Sequence, residues 1–161
     1  DHLDLVINNA GINSAAMPDD QKNVRFGQVE PQGILRMVHV NAVGPVLVVQ
    51  ALAPLLHEGS KVVSVSSWLG SISRKSKGGN YGYATSKAAL TRMNRAMAFD
   101  LAKQGITAVV VNPGWVQTDM GGPRAELTPE VSVGGLLAVA DRLTLDDAGR
   151  FFQWDGSEHP W

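Results

Sequence analysis

The chain has 161 residues, of which 44% are hydrophobic and 18% charged. That is the composition of a folded domain rather than a disordered segment, long enough to bury roughly two-thirds of its unfolded surface. A formal net charge of −1 gives no field for attracting nucleic acid or an anionic membrane, and the absence of cysteine excludes disulfides, thiolate chemistry and cysteine-held metals.

The chain opens Asp1-His2-Leu3-Asp4 and runs straight into apolar residues with no initiator methionine, so a further segment is expected upstream in the gene product. Leu3 to Asn8 is continuously apolar enough for a strand covered on both faces, ending at Asn9-Ala10-Gly11. A loop rich in Pro, Asp, Gly and Gln follows, from Asn13 to about Pro31. Leu35, Val38, Ala42, Val46, Val49, Ala53 and Leu56 then recur at helical steps. Lys61 to Ser66 reads as a second strand, β-branched at Val62, Val63 and Val65. After the polar, basic loop Ser71 to Asn80, a long helix is expected from about Tyr83 to Lys103, stopped by Gly105. Ile106 to Val111 is the third strand, broken by Asn112-Pro113-Gly114. Thr128-Pro129 opens another helix, with Thr as N-cap and Pro at the first helical position. Arg150 to Trp154 is the last strand, turned by Asp155-Gly156.

Strands alternating with helices in this way predict an α/β fold, a parallel doubly wound Rossmann-type sheet of about four strands with right-handed crossovers. With no repeat and no linker, residues 1–161 are expected to form a single domain. Asn41, Gly44, Pro45 and Gln50 interrupt the longest apolar run, so no membrane span is expected, and without a secretory leader a cytoplasmic location is.

The chemistry concentrates at Tyr83-Ala84-Thr85-Ser86-Lys87, where i, i+4 spacing puts a phenol and an ammonium on one helix face. A phenol near pKa 10 needs a fixed positive neighbour to act as an acid-base at neutral pH. On spacing alone, a surface Tyr beside a solvated Lys is the plainer reading. Ser66-Ser67, Asn9-Ala10-Gly11 and Pro113-Gly114 close three parallel strands and so share the rim where such sheets bind ligands, though each also reads as a turn. Asn41 sits in a helix four residues before Pro45, which has no amide hydrogen for the Asn41 carbonyl; a bend is expected there, with or without a functional role. His2, His39, His57 and His159 show no ligand spacing, and Asp119, Asp146 and Asp147 complete no site, so no metal is expected.

Asn8-Asn9-Ala10-Gly11, Asn41, Ser67, Tyr83-x-x-x-Lys87 and Pro113-Gly114-Trp115-Val116-Gln117-Thr118 resemble, in their order, the motifs of the classical short-chain dehydrogenase/reductase family. Gly78-Gly79-Asn80-Tyr81, the run Pro113 to Gly122 and the ending Asp155 to Trp161 are similar to the sniffer-like carbonyl reductase and C-factor branch. The resemblance implies catalysis by Asn41, Ser67, Tyr83 and Lys87. Tyr83 would be the proton donor or acceptor and Ser67 would hold the substrate carbonyl. Lys87 would lower the Tyr83 pKa and bind nicotinamide ribose hydroxyls, with Asn41 linking it to solvent. Asn9, Ala10, Gly11, Pro113, Gly114, Val116 and Thr118, with Tyr83 and Lys87, would contact NADP or NAD. Ser67 is chosen over Ser66 because it precedes two residues and Gly70; Tyr81 is a decoy, because Thr85 follows it at i+4.

The implied partners are a small carbonyl or alcohol substrate and a second copy of the chain, with neither nucleic acid nor membrane. Gln117 to Val131 is expected to be a mobile lid; Trp154 and Trp161 are expected to pack the C-terminal end, with bordering the substrate pocket an alternative for Trp161. The family's Gly-rich phosphate-binding turn is absent from the sequence. Three readings follow: a fragment of an ordinary reductase, a short C-factor-like intercellular signal, or an inactive remnant. The upstream segment would also cover the apolar edge at Leu3 to Ile7, which is otherwise an association hazard.

Overall fold

In the computed structural model, which describes residues 1–22 and 25–161, every strand pairs in parallel and neighbours in sequence are neighbours in the sheet. The strands are β1 (Leu3–Asn8), β2 (Leu56–Val65), β3 (Thr107–Asn112) and β4 (Phe151–Gln153). The helices are α1 (Pro31–Val38), α2 (Gly44–Leu52), α3 (Tyr83–Ala102) and α4 (Pro129–Arg142). β2 begins earlier than expected. Leu3 pairs with Leu56, but Leu5 pairs with Lys61, and the intervening residues bulge out around Gly59 at φ 92°. β4 is only the three-residue middle of the expected strand.

Alternate strand residues face opposite layers. Val6, Val62, Ala108, Val110 and Phe151 point to the side covered by α2 and α3, with Val49, Ala98, Leu101 and Leu90. Val63, Val65, Val109, Val111 and Phe152 point the other way, to Leu136, Val139, Ala140 and Leu143 on and just after α4. β3 is buried at all six positions, as a central strand covered twice should be.

This layering corrects one expectation. All three crossovers step in the same direction along the sheet, yet the third passes over the opposite face from the first two. Its hand is therefore opposite to theirs, and the crossovers cannot all be right-handed. The usual preference arises where a twisted strand feeds a helix that packs straight back. Here residues 113–128 intervene between β3 and α4 and remove that constraint.

The helical run between β1 and β2 shows what Asn41 and Pro45 do. Instead of breaking, it widens into a π turn over His39–Val43, closed by Gly44 N–H to His39 C=O, and continues as α2. A proline that cannot donate is accommodated by a ladder already one residue longer. Pro31–Leu55 consequently runs as one helical stretch of 25 residues, with mean hydropathy 1.6 over an 18-residue window of it, long and apolar enough to cross a membrane by length and composition. Its polar residues therefore do not exclude a span as expected. Met37, Asn41, Ala42, Pro45 and Val49 of the stretch are buried within the fold.

The β1 edge is unpaired, and Leu5 and Ile7 on the α4 side are 37% and 40% exposed. The expected apolar edge is thus present among the described residues.

Candidate functional site

Because the strands are parallel, Asn9-Ala10-Gly11, Ser66-Ser67 and Asn112-Pro113-Gly114 all emerge on one rim. Asn112, which reads in the sequence only as a strand break, ties two of these ends together. Its Oδ1 accepts from Trp68 N–H at 3.0 Å and from Gly114 N–H at 3.2 Å. Gly114 holds φ 80°, and a Cβ there would collide with the Leu127 side chain. The turn therefore needs a residue without a side chain.

α3 starts under this rim and delivers Tyr83 and Lys87 to it. Lys87 is 3% exposed and its Nζ lies 5.8 Å from the centre of the Tyr83 ring. Nζ donates to the Val65 carbonyl at 2.8 Å. Among the described residues that is its one hydrogen bond, leaving two of three N–H donors for other acceptors. Burial pushes the Lys87 ammonium down to about 8.

The two serines divide their work. The Ser66 hydroxyl is spent inside the fold, 3.0 Å from Thr91 Oγ1 and 3.4 Å from the Lys87 carbonyl it donates to. The Ser67 hydroxyl, 8% exposed, accepts from Leu69 N–H at 3.2 Å and stands on the side of the Tyr83 phenol, whose acidity it influences. Gly70 is what lets this loop approach α3, for a Cβ there would come within 3.1 Å of the Lys87 backbone.

Burial pushes the Tyr83 phenol above its usual value, and the hydrogen bond with Ser67 pulls it back. The expectation that Lys87 lowers it is not met in this arrangement. The Lys87 ammonium donates to the Val65 carbonyl instead, and burial is the larger influence on the phenol.

Asn41 is fully buried and works through its side chain. Oδ1 accepts from Ile12 N–H and Nδ2 donates to Ile12 C=O, both at 2.7 Å. Nδ2 also donates to Ser86 Oγ at 2.9 Å, and Ser86 in turn donates to the Tyr83 carbonyl. The amide thus clamps the loop after β1 to the start of α3. Sequence reasoning misses Ser86, although its place between Tyr83 and Lys87 is an available signal. A Cβ on Gly11 would lie 3.3 Å from Lys87 Nζ and 3.4 Å from Asn41 Oδ1, so that glycine leaves an open cradle above both.

The remaining candidates are placed less centrally. Asn9 and Ala10 are exposed on the rim. Val116 and Thr118 make no hydrogen bond to the Tyr83–Lys87 group among the described residues. They belong to a segment folded on itself: Val116 bridges to Leu127, Gln117 N–H donates to Leu127 C=O at 2.8 Å, and Trp115 Nε1 donates to Gly121 C=O at 2.8 Å. The segment expected as a lid, Gln117 to Val131, carries these internal hydrogen bonds, and its last residues are already in α4. Trp161 packs the C-terminal end, as expected. Its ring lies under the Arg95 guanidinium at 4.4 Å and against Phe151, and its carbonyl accepts from Ser73.

A family model described as short chain dehydrogenase matches residues 1–128. The chain is 41% identical to C-signal of Myxococcus xanthus, over 99% of this chain and 93% of that protein. It spans 46% to 67% of the length of seven further curated relatives. Among solved structures, the carbonyl reductase Sniffer of D. melanogaster superposes with a TM-score of 0.89 at 34% identity, over 99% of this chain and 67% of that one. An NADPH-bound carbonyl reductase from chicken fatty liver gives 0.87 at 31%, over 99% and 66%.

Proposed function

The chain belongs to the short chain dehydrogenase family, and we propose that it serves as an NAD(P)-dependent oxidoreductase interconverting a carbonyl and an alcohol. The observation that carries this reading is the placing of Tyr83 and the buried Lys87 ammonium, 5.8 Å from its ring centre, at the carboxyl rim of the sheet, where Ser67 follows β2. The residues fit the nicotinamide-ribose half of a dinucleotide. Gly11 leaves a cradle, and two Lys87 N–H donors face no protein acceptor among the described residues. When bound, the nicotinamide would supply the hydride chemistry that no side chain can. Ser67 would orient the substrate oxygen by a hydrogen bond, and Tyr83 would hold or take the proton at that oxygen. Lys87, with its donors, would hold the ribose hydroxyls and, once turned toward the phenol, favour its ionised form. Asn41 would keep the cradle in place. Asn9, Ala10, Pro113, Gly114, Val116 and Thr118 would complete the cofactor contacts from the three strand ends. The NADPH-bound relative supports the cofactor class.

The proposed partners are a small carbonyl or alcohol and a second copy of the chain, within the cytoplasm and as one domain over 1–161. An apolar groove between α2 and α3, lined by Val49, Ala53, Met93, Ala96 and Met97, supports the dimer. Sedimentation showing only monomer at micromolar concentration would remove it.

The test is isothermal titration with NADH and NADPH of the chain and of a form carrying its natural upstream sequence. Binding by the extended form is expected, and binding by neither sinks the reading. Affinity should also fall as pH rises through about 8, because the Lys87 charge is present below that value and lost above it. A second reading, a signal rather than a catalyst, is favoured by the 93% coverage of C-signal at 41% identity. It predicts an activity indifferent to dinucleotide.

A further inference from the structure

At the opposite rim, the amino ends of β1 and β2 bring His2 and Asp4 to His57, across a separation of 53 residues between Asp4 and His57. Leu3 pairs with Leu56, so the next residues, Asp4 and His57, stand beside each other. His57 Nε2 lies 3.1 Å from Asp4 Oδ1, and His2 Nε2 lies 3.7 Å from the same oxygen. The two imidazoles meet edge to face with centres 4.8 Å apart.

The second nitrogen of His57 decides what this cluster wants. Nδ1 is 2.7 Å from the Glu58 carbonyl, which can only accept, so Nδ1 carries a hydrogen. In a neutral ring Nε2 is then a bare lone pair aimed at a carboxylate oxygen, acceptor against acceptor. Something positive belongs between them. A tetrahedral ion with ligands at about 2.0–2.2 Å holds its ligand atoms roughly 3.3–3.6 Å apart. The two imidazole nitrogens stand 3.1 and 3.7 Å from the shared Asp4 oxygen, and all three ligand atoms lie within 4.8 Å of one another, so small side-chain rotations close the site. The Nδ1–H to carbonyl bond is also the outer contact that commonly orients a metal-ligating imidazole.

We propose that His2, Asp4 and His57 bind a divalent first-row transition metal, with zinc as the preferred occupant and water completing its coordination. Two imidazoles and a carboxylate suit zinc, copper or nickel rather than calcium or magnesium. The proposal departs from the expectation of no metal, which rests on spacing along the chain alone. The ion joins β1 to β2 across the point where their register slips, between Leu3 and Leu5, and so staples the unpaired edge strand.

Isothermal titration with zinc chloride tests it, on this chain and on a form with its natural upstream sequence. One equivalent should bind, His57→Gln and Asp4→Asn should each weaken binding at least tenfold, and His39→Gln should not. Zinc should raise the melting temperature of the parent and not of His57→Gln, all three positions being exposed so that the variants fold. No binding at about 100 µM zinc, or equal binding by parent and His57→Gln, overturns the proposal and leaves a proton as the occupant of the His57–Asp4 contact.

Discussion

Replacing Tyr83 with Phe is expected to lower turnover by about 10²–10⁴-fold, the usual contribution of a positioned general acid-base, and to leave dinucleotide affinity nearly unchanged. The substitution deletes one oxygen. It keeps the half-buried ring, its place at the first residue of α3 and its packing near Lys87. It removes the phenol oxygen, so the proton at the substrate oxygen has no carrier. Steady-state rates followed by nicotinamide absorbance, with titration of the same variant, separate the two effects. A rate within threefold of the parent would mean that the phenol is not the acid-base. If rate and affinity fell together, the ring would be part of the binding surface instead.

Asn41→Leu is expected to destabilise the fold by about 2–4 kcal/mol, since leaving a buried donor or acceptor unmet costs about 1–3 kcal/mol each. Leucine keeps the branched outline with bulkier ends, so none of the cost is a cavity, though crowding adds to it. The loss lies in three short hydrogen bonds, two of them to the N–H and C=O of Ile12, whose backbone is half-buried. Some water should reach Ile12, which sets the expected loss below the sum. The measurement is the denaturant midpoint at unchanged slope. A loss below about 0.5 kcal/mol would mean that water replaces the amide and that Asn41 is no clamp. The same variant should also weaken dinucleotide binding, because Gly11 and Lys87 flank that side chain.

These two residues mark how far the chain is legible from its order of residues. Tyr83 and Lys87 are four apart on a helix, so local spacing is enough to place them on one face. Asn41 lies in a helical pattern with a proline four residues on, which is enough to expect a distortion there. It is not enough to say that the distortion is a π turn, or that the side chain clamps the loop after β1 to α3. Those outcomes depend on Ile12 and Ser86, 29 and 45 residues away.

The elements and their arrangement in a parallel sheet follow from the residues in order, because apolar periodicity, Thr128 as a cap and the glycines at strand ends are local signals that agree with one another. The family follows in the same way, through motifs whose order can be recognised without any knowledge of contacts. Folding in three dimensions settles what local signals leave open. It sends α4 to the opposite face from α2 and α3, turns the Lys87 charge toward Val65, and spends the Ser66 hydroxyl on Thr91. It also brings His2 and Asp4 to His57. Each of these is a meeting of residues distant in the chain, set by strand register, layer and burial, and none leaves a periodic trace in the sequence.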